Sequence, residues 1–394
     1  MKKNNLKSIF PKPIFLGAAT RTPIGGFGGS LSPLTAPQLA FLALKHSILL
    51  APEVSQTDWV FLGHARQAGC GPNTARQATI LSGLSNQTPA ITFNQACASG
   101  LASVLSAAEK IALGRSHSIW AGGVESMSNT PFLLPGIRWG YKSGNQNLLD
   151  AMIKDGFMCP MAKKLMGETV EDYLVKKFNI TRKKQDEYSY LSHKKSAHAW
   201  TNGLFNDEIC SVNFNSAILE KDEHIRVKTS VDSLAKLNPV FDSSNGTITA
   251  GNSCGIADGA AFLHVSDTKY SHTQAELLDF ETIALDPKLM GLGPVDSINN
   301  LLKRNHLKIN DVYAYEVNEA FAAQVLACQT QLKIPEDKLN INGGAIAMGH
   351  PIGATGTRML VTLIHLIKNK PGQLGIASLC VSGGQGVAVL IRSV

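Results

Sequence analysis

Residues 90–126 read AITFNQACASGLASVLSAAEKIALGRSHSIWAGGVES, and this stretch predicts a strand, a helix and a second strand. The first apolar run ends at Cys97, where a turn of small residues begins. Apolar residues then recur at spacings of three and four, as on one face of a helix, until Gly114. A strand–helix–strand unit of this kind predicts a mostly parallel sheet with helices on both faces.

The C-terminal part of the chain repeats this order. A helical run follows His350 in residues 349–367, GHPIGATGTRMLVTLIHLI, and residues 375–392, GIASLCVSGGQGVAVLIR, predict a hairpin. The helix after Cys97 matches the helix after His350, and AGGVE matches SLCVSGGQG. This internal duplication of roughly one hundred residues predicts an α/β fold whose two halves meet at a shared seam.

A segment of different composition separates the two repeats. It is richer in charge and contains Trp139 and Trp200. Within it, TRKKQDEYSYLSHKKSAHAW predicts a helix capped by Thr181. Because long insertions often bind substrate, we expect that role here. The predicted domains are an N-terminal core of residues 1–123 plus 251–272, an inserted loop domain of residues 124–250, and a C-terminal core of residues 273–394.

Composition narrows the class of protein. The chain has 394 residues, of which 44% are hydrophobic, so it can form more than one domain. No apolar stretch reaches membrane-spanning length and the start, MKKNNLKSIFPKP, lacks an apolar signal core, so we expect a cytoplasmic protein. Seven cysteines at irregular spacing argue against a disulfide framework or a metal site. The net charge of +7 is scattered, and neither a nucleic acid nor a membrane is an expected partner.

Cys97 and His350 are candidates for covalent chemistry. A thiolate at a strand-to-helix junction gains from the helix dipole and from free N–H groups, which could also stabilise an oxyanion. The alternative is an inert buried cysteine. Glycines surround His350 and let backbone approach a ligand, and a neutral imidazole there could take a thiol proton. The alternative is a hydrogen-bonded structural histidine.

Cys380 and Asn318 are the next candidates. Cys380 begins the Gly-rich turn CVSGGQG, and its sulfur could act as acid and base toward a carbon beside a carbonyl. Asn318 and Glu319 lie at a strand-to-helix turn in YEVNEAFAAQ. Two interpretations stay open for Asn318: a helix N-cap, or a side chain that holds a water aimed at an oxyanion.

Six motifs together resemble one family. They are NQACASGL, AGGVESMSNTPF, TAGNSCGIADGAA, VNEAFAAQ, NINGGAIAMGHPIGATG and SLCVSGGQGVAVLI, and in this order they resemble the thiolases. This family comprises acetyl-CoA C-acetyltransferases and 3-ketoacyl-CoA thiolases. The resemblance covers about residues 14–392. It implies a thiolase-like fold, with duplicated halves in a layered αβαβα arrangement and an inserted loop domain that binds CoA.

The resemblance also implies a role for each candidate. Cys97 matches the acylated nucleophile, His350 its activating base, Cys380 the acid and base that acts on acetyl-CoA, and Asn318 the holder of an oxyanion-site water. Backbone N–H groups of Cys97 and Ser382 match the oxyanion donors. No metal or cofactor is implied, because CoA is substrate and product. The residues that match the CoA and acyl site are Arg226, Phe241, Cys254, Met166, Met290 and Phe321.

Three positions depart from the family pattern. Ser382 stands where the family usually has a glycine, and a side chain there would strain a glycine-like conformation. Cys254 replaces a usual serine, and a thiol is a weaker hydrogen-bond donor than a hydroxyl. Leu165 precedes Met166 where members specific for acetoacetyl-CoA often have histidine, which leaves the preferred chain length open.

The predicted function is that of an acetyl-CoA C-acetyltransferase. Such an enzyme condenses two acetyl-CoA molecules to acetoacetyl-CoA and CoA in a ping-pong Claisen reaction, or runs the reverse thiolysis. The short-chain preference rests on residues 151–168, AMIKDGFMCPMAKKLMGE. We expect acetyl-CoA, acetoacetyl-CoA or another 3-ketoacyl-CoA, and CoA as partners of a homodimer or homotetramer.

Four alternatives to this function remain open. The first is a degradative 3-ketoacyl-CoA thiolase that acts on longer chains in fatty-acid β-oxidation. The second is a ketoacyl-synthase-like condensing enzyme, which would typically have histidines at Cys380 and Asn318. The others are a cysteine hydrolase and a non-catalytic acyl-CoA- or lipid-binding relative.

Overall fold

A computed structural model describes residues 6–214 and 217–394. Its first half alternates strands and helices as the sequence predicts. The strand before the inserted segment is buried over its whole length, in keeping with its small and apolar composition. The longer elements are β1 (Phe15–Arg21), α1 (Ala36–Leu49), β2 (Trp59–His64), α2 (Thr74–Leu81), β3 (Ala90–Phe93), α3 (Ser99–Ala112) and β4 (Ser118–Ser126).

The inserted segment follows β4, which continues past the predicted boundary at residue 123. Its longest helix is α4 (Arg182–Thr201), and the Thr181 hydroxyl accepts a hydrogen bond from the Lys184 N–H at 3.3 Å, so the predicted cap is confirmed. Short strand pairs are Phe132–Leu133 with Leu149–Asp150, Met158–Cys159 with Lys164–Leu165, and Val212–Phe214 with Ala217–Leu219. Helical stretches are Met127–Asn129, Ile137–Trp139, Ile153–Phe157, Met166–Thr169, Val170–Val175, Lys176–Phe178 and Val231–Ala235.

The second half contains a helix, Ile352–Ile367, that is buried over almost its whole length. Even the side chain of Arg358 on this helix is enclosed. Among the described residues, none of the helices has the length and apolar character needed to cross a membrane. After the inserted segment, β5 (Ala257–Ser266) returns to the first half and pairs with β1 and β4. The longer elements of the second half are β6 (Thr273–Ala284), α5 (Gly293–Arg304), β7 (Ala314–Val317), α6 (Ala322–Leu332), α7 (Ile352–Ile367), β8 (Leu374–Val381) and β9 (Gln385–Ser393). Shorter helical turns are Pro287–Leu292, Ile309–Asp311, Glu336–Lys338 and Ala345–Met348.

The strands form one sheet in the order β7-β8-β9-β6-β1-β5-β4-β2-β3, and Gly25–Gly26 pairs with the start of β5. Pairing is parallel for β2–β3, β2–β4 and β7–β8, and antiparallel for the other neighbours. The prediction of a mostly parallel sheet is therefore wrong, because β1 lies antiparallel between β5 and β6 in the middle of the sheet, and the short turn between β8 and β9 makes these strands a hairpin. The two halves join through β1 and β6. In the first half, β3 pairs in parallel with β2 at the edge of the sheet. In the second half, a parallel bridge between Tyr315 of β7 and Leu339 takes the corresponding position. The predicted duplication is therefore present in the sheet.

Helices α3 and α7 form the layer between the two halves. Helix α3 packs on β2 and β4, whereas α7 packs on strands of both halves and on α3. Glycines allow this approach, because a Cβ at Gly100 would lie 2.6 Å from Thr357 Oγ1 and 2.9 Å from the Gly353 carbonyl. Helices α1 and α5 cover the outer faces. This gives the predicted layered αβαβα arrangement.

Candidate active site

The candidate catalytic residues lie at turns beside the central helices. Cys97 lies between β3 and α3, and His350 takes the corresponding position two residues before α7. Asn318 directly follows β7, and Cys380 lies near the end of β8. All four are between 1% and 6% exposed. The duplicated topology thus brings residues that are far apart in sequence to the same end of the sheet.

The turn that carries Cys97 is strained and firmly held. Ala96 has a φ of 46°, a left-handed conformation that costs a residue with a side chain about 1–3 kcal/mol. The Ser99 hydroxyl donates to the Ala96 carbonyl at 2.7 Å and accepts from the Gln95 N–H at 2.9 Å. These bonds fix the sulfur at the start of α3, and sites that store strain in this way are often functional.

Burial raises the pKa of the Cys97 thiol above its ordinary value. The charge of Arg66 and a hydrogen bond from the Ser382 backbone N–H oppose this shift in pKa. The resting group is therefore a thiol that needs a base before it can attack. The Ser382 N–H, predicted as an oxyanion donor, is within hydrogen-bonding reach of the sulfur.

Ser382 does not cause the backbone strain that the sequence suggested. The left-handed residues of this turn are Gly383, with φ 88°, and Gly384, with φ 81°, and Ser382 is not among the residues with positive φ. A serine therefore fits the turn, because the left-handed backbone conformation occurs only at the two glycines that follow it. A Cβ at Gly383 would lie 2.8 Å from Met161 Cε, so the turn also contacts the inserted segment.

His350 is held as a neutral imidazole with a defined tautomer. The Thr355 hydroxyl lies 2.6 Å from His350 Nδ1 and donates its proton to the Pro351 carbonyl, so Nδ1 carries hydrogen and donates to Thr355. Burial, followed by the charges of Arg358 and Arg66, lowers the pKa of His350 to about 3. The unprotonated Nε2 is then free to act as a base near neutral pH.

Asn318 contacts that unprotonated nitrogen. Its Nδ2 lies 3.4 Å from His350 Nε2, and its buried Oδ1 has no hydrogen-bond partner in the described part of the chain. The N-cap interpretation is wrong, because α6 begins at Ala322 and its N-cap is Phe321. The Asn318 side chain therefore lies against His350 and not at a helix end.

Cys380 lies among other sulfurs. Burial raises its pKa well above the ordinary value, and nearby Cys97, Cys328 and Cys254 raise the pKa further. Cys254 has its pKa raised to about 12 by burial and by Cys97, and its N–H donates to the Ala320 carbonyl at 3.1 Å. Cys97, Cys254 and Cys380 thus lie close enough to interact electrostatically, although they come from three separate motifs.

The residues matched to the acyl and CoA site divide into two places. Met290 shares an apolar cluster with Cys380, and Phe241 and Phe321 pack against this cluster with ring centroids 6.3 Å apart. Met166 packs against the same cluster. Arg226 is exposed, and its backbone N–H donates to His193 Nδ1 at 3.2 Å. The apolar group surrounds Cys380, whereas Arg226 lies on the surface of the inserted segment.

Glu319 is a positioning residue that the sequence did not single out for a function. Its buried carboxylate accepts hydrogen bonds from Tyr188 Oη at 2.9 Å and Ser192 Oγ at 2.7 Å, both on α4. It also accepts from Asn340 Nδ2 at 2.9 Å and the Ile346 N–H at 3.0 Å. One side chain therefore links the inserted segment to the loops that carry Asn318 and His350. Its place in the NEAF motif was the available signal.

Glu125 joins the two halves behind the site. Its buried carboxylate accepts from the Arg66 N–H at 3.0 Å and the Gly353 N–H at 2.9 Å, and it lies 3.1 Å from His64 Nε2. Glu125 lies in the motif AGGVESMSNTPF, but the sequence analysis predicted no role for it. In the described residues, no cluster of histidine, cysteine and carboxylate side chains is arranged to hold a metal ion.

Comparisons with known proteins show similarity over nearly the whole chain. The family model for the thiolase N-terminal domain matches residues 14–268, and that for the C-terminal domain matches residues 271–393. A probable acetyl-CoA acyltransferase of Staphylococcus epidermidis is 43% identical over 397 residues, covering 96% of this chain and 98% of the relative. One of Staphylococcus aureus is 41% identical over 391 residues, with the same coverage of both chains.

Solved structures show the same similarity. The human mitochondrial 3-ketoacyl-CoA thiolase superposes with a TM-score of 0.92 at 34% identity, over 97% of this chain and 99% of the other. The complex of that human enzyme with CoA superposes with a TM-score of 0.93 at 35% identity, over 97% of this chain and 98% of the other. The Bacillus anthracis acetyl-CoA acetyltransferase superposes with a TM-score of 0.91 at 36% identity, over 99% of this chain and 100% of the other.

Proposed function

This chain belongs to the thiolase family, and we propose that it transfers acyl groups between CoA thioesters through an acyl-Cys97 intermediate. The observation that supports this proposal is an arrangement of three buried groups, in which Cys97 interacts electrostatically with Cys380, and Cys97 and His350 both feel the charges of Arg66 and Glu125. The three groups are the Cys97 thiol with the Ser382 N–H on its sulfur, the neutral His350, and Cys380. Each group fits a different step of the reaction.

The first step is acylation of Cys97. His350 Nε2 takes the thiol proton, and the thiolate attacks the carbonyl of acetyl-CoA or of a 3-ketoacyl-CoA. The N–H groups of Ser382 and Cys97 stabilise one oxyanion, and Asn318 with a bound water stabilises the other. Loss of CoA, or of the acetyl-CoA carbanion in thiolysis, leaves the thioester on Cys97.

The second step is proton transfer at carbon. In synthesis, Cys380 first gives its proton to the departing CoA thiolate, and the Cys380 thiolate then removes a proton from the methyl group of a second acetyl-CoA. The carbanion attacks acyl-Cys97 and displaces its sulfur. In thiolysis, Cys380 protonates the departing carbanion, and the CoA thiol takes the acyl group. The high pKa of Cys380 supports this role, because its thiolate is a strong base.

The substrates proposed are acetyl-CoA and acetoacetyl-CoA, with CoA bound on the inserted segment near Arg226. Oxygen-rich phosphates of CoA suit an exposed guanidinium. A degradative role toward longer 3-ketoacyl-CoAs is the second candidate, favoured by the similarity to the human mitochondrial enzyme. No cofactor is proposed. A cytoplasmic homodimer or homotetramer remains the expected setting.

A labelling experiment tests the proposal. Incubation with radiolabelled acetyl-CoA, followed by peptide mapping, is expected to place the acetyl group on Cys97 of the wild type and nowhere in Cys97→Ser. Cys210→Ala serves as the matched control, because Cys210 is buried elsewhere in the fold. Thiolysis of acetoacetyl-CoA is followed in parallel. Binding of acetyl-CoA without labelling or thiolysis would instead support a non-catalytic relative.

A further inference from the structure

His224 lies where the inserted segment meets the turn that carries His350. It belongs to the stretch DEHIR, residues 222–226, and its side chain is half-buried. In the sequence, only Arg226 of this stretch matches a residue of the thiolase site. The surroundings of the His224 ring indicate a second function for the same stretch.

The ring packs against two glycines that adjoin candidate site residues. A Cβ at Gly349, which directly precedes His350, would lie 2.8 Å from His224 Cδ2. A Cβ at Gly255, which directly follows Cys254, would lie 2.5 Å from His224 Cε1. Neither glycine could carry a side chain unless the ring moved, and Gly349 also requires glycine for its φ of 103°.

The two stretches of chain that contain these glycines are hydrogen-bonded to each other beside the ring. The His350 N–H donates to the Gly255 carbonyl at 2.9 Å. His224 Nε2 lies 3.1 Å from the Ile256 carbonyl, which can only accept, so Nε2 carries hydrogen and donates. Burial is the largest cause of the lowered pKa of His224, so the ring is neutral. The ring is thus bonded to one stretch and packed against both.

The backbone on either side of His224 is anchored. The buried Asp222 carboxylate accepts the Ile24 N–H at 2.7 Å, and the Arg226 N–H donates to His193 Nδ1 at 3.2 Å. Because the stretch is fixed before and after His224, the ring has little freedom to move away from the two glycines.

We propose that His224 is a positioning residue for the catalytic base: its ring holds the Gly349 turn so that the His350 imidazole is oriented toward the Cys97 thiol. His224 acts through this turn and not by contact with the substrate. Proton transfer depends steeply on placement, since a shift of about 1 Å can cost roughly 10²-fold in rate. The inference rests on the proposed function and adds to it a residue that the family motifs did not single out.

Direct binding of CoA is the competing role for His224, because the ring is half-buried and lies two residues before Arg226. Loss of a residue that binds CoA raises KM, whereas loss of a residue that positions the base lowers kcat. The contacts with Gly349 and Gly255 favour positioning, and the two roles can be separated by kinetics.

The test compares His224→Ala with His224→Phe in thiolysis of acetoacetyl-CoA. We expect the alanine variant to lose about tenfold to a hundredfold in kcat, with a KM for CoA within about threefold of the wild type. Phenylalanine keeps a planar ring against both glycines and should recover most of the loss. His198→Ala removes an exposed histidine of the same inserted segment and should behave as the wild type.

Alkylation of Cys97 by iodoacetamide gives a second readout, because a correctly oriented His350 assists the loss of the thiol proton. We expect alkylation at pH 7 to be about tenfold slower in His224→Ala than in the wild type, and near the wild-type rate in His224→Phe. A loss of stability alone would lower the midpoint of thermal unfolding and leave the alkylation rate of the folded protein unchanged.

Three results would overturn the role of His224. They are a wild-type kcat in the alanine variant, an equal loss of kcat in the alanine and phenylalanine variants, and a raised KM for CoA with unchanged kcat. If the alanine variant does not fold, His224→Gln, which keeps a donor for Ile256 but removes the ring, takes its place with the same expected losses. Wild-type cleavage of acetoacetyl-CoA together with any of these results overturns only this inference, whereas no cleavage and no acetylation of Cys97 in the wild type overturns the proposed function.

Discussion

His350 Nε2 lies 3.4 Å from Asn318 Nδ2, so a hydrogen-bond donor faces the basic nitrogen of the site. An amide N–H next to this nitrogen favours its lone pair over a proton, in the same sense as burial does. The contact thus acts in the same direction as the burial that, with the charges of Arg358 and Arg66, lowers the pKa of His350. It also places the unpaired Asn318 Oδ1 beside the reacting groups.

We expect Asn318→Ala to reduce kcat for thiolysis of acetoacetyl-CoA by about 10²–10³, the usual effect of losing one oxyanion donor, with little change in KM. Asn305→Ala is a control at an asparagine on the outer side of the second half, at the end of α5. Steady-state kinetics measure both. A change confined to KM would show that Asn318 serves binding and not the transition state.

Thr355 fixes the tautomer of His350, so Thr355→Val should lower kcat by about tenfold to a hundredfold. Thr355→Ser keeps the hydroxyl and should recover most of this loss. The decisive measurement is the pH profile of kcat. If Thr355 served packing alone, the serine variant, which loses a methyl group, would also lose activity, and the pH profile of the valine variant would not shift.

Ser382→Pro removes the backbone N–H that bonds to Cys97, and we expect kcat to fall by about 10²–10³. Ser382→Gly changes only the side chain and should stay within about threefold of the wild type. Acetylation of Cys97 during a single turnover measures the affected step. A large defect in the glycine variant would mean that the serine hydroxyl itself participates.

Glu319→Gln should lower the free energy of unfolding by about 2–3 kcal/mol, because one carboxylate oxygen becomes an NH₂ group that faces donors. Urea unfolding measures the change. Glu187→Gln is the control, because Glu187 is a half-buried carboxylate on the same helix that lies 3.9 Å from Lys183 Nζ and has no hydrogen bond to the catalytic loops in the described part of the chain. If the two variants unfold alike, Glu319 does not link α4 to the catalytic loops.

Stability should fall as the pH drops from about 6.5 to about 3. Burial lowers the pKa of His264 to about 3, and this histidine lies 2.9 Å from Ser118 Oγ and 3.0 Å from His272 Nε2. Below its ordinary pKa of 6.5, His264 binds a proton in the unfolded chain but not in the folded one, so acid favours unfolding by about 1.4 kcal/mol per pH unit.

His264→Gln should make this dependence shallower by that amount, whereas His198→Gln, at an exposed position, should leave it unchanged. Urea unfolding at several pH values between 4 and 7 measures the slopes. Identical slopes in the wild type and His264→Gln would show that His264 takes up its proton without unfolding.

The period of the apolar residues and the internal duplication predicted an α/β fold with two matching halves, because both patterns are visible in the sequence itself. The layered αβαβα arrangement was predicted only from the resemblance of the motifs to thiolases. The sequence also singled out Cys97, His350, Cys380 and Asn318 as candidates, because each lies at a turn next to a strand or helix that is visible in the motifs. It did not reveal that Glu319 and Glu125 hold these turns together, because their partners lie in other segments of the chain. The prediction of backbone strain at Ser382 was wrong, because the φ angle of a residue depends on the conformation of the whole turn.

The same holds for Arg66. A lone arginine in a loop looks like a surface residue in the sequence, and only the packing of Gly156 against it shows that it is enclosed. The roles of the catalytic and acyl-site residues and the boundaries of the domains remain predictions that the experiments above address.

The equivalent positions of Cys97 before α3 and His350 before α7 bear on the ancestry of the chain. A single half would leave the glycine surface of its central helix uncovered, so an ancestral half would have paired with a copy of itself. In such a symmetric pair, both turns carry the same amino acid. Fusion of two copies into one gene ended this constraint, and one turn was then free to evolve a nucleophile while the other evolved its base.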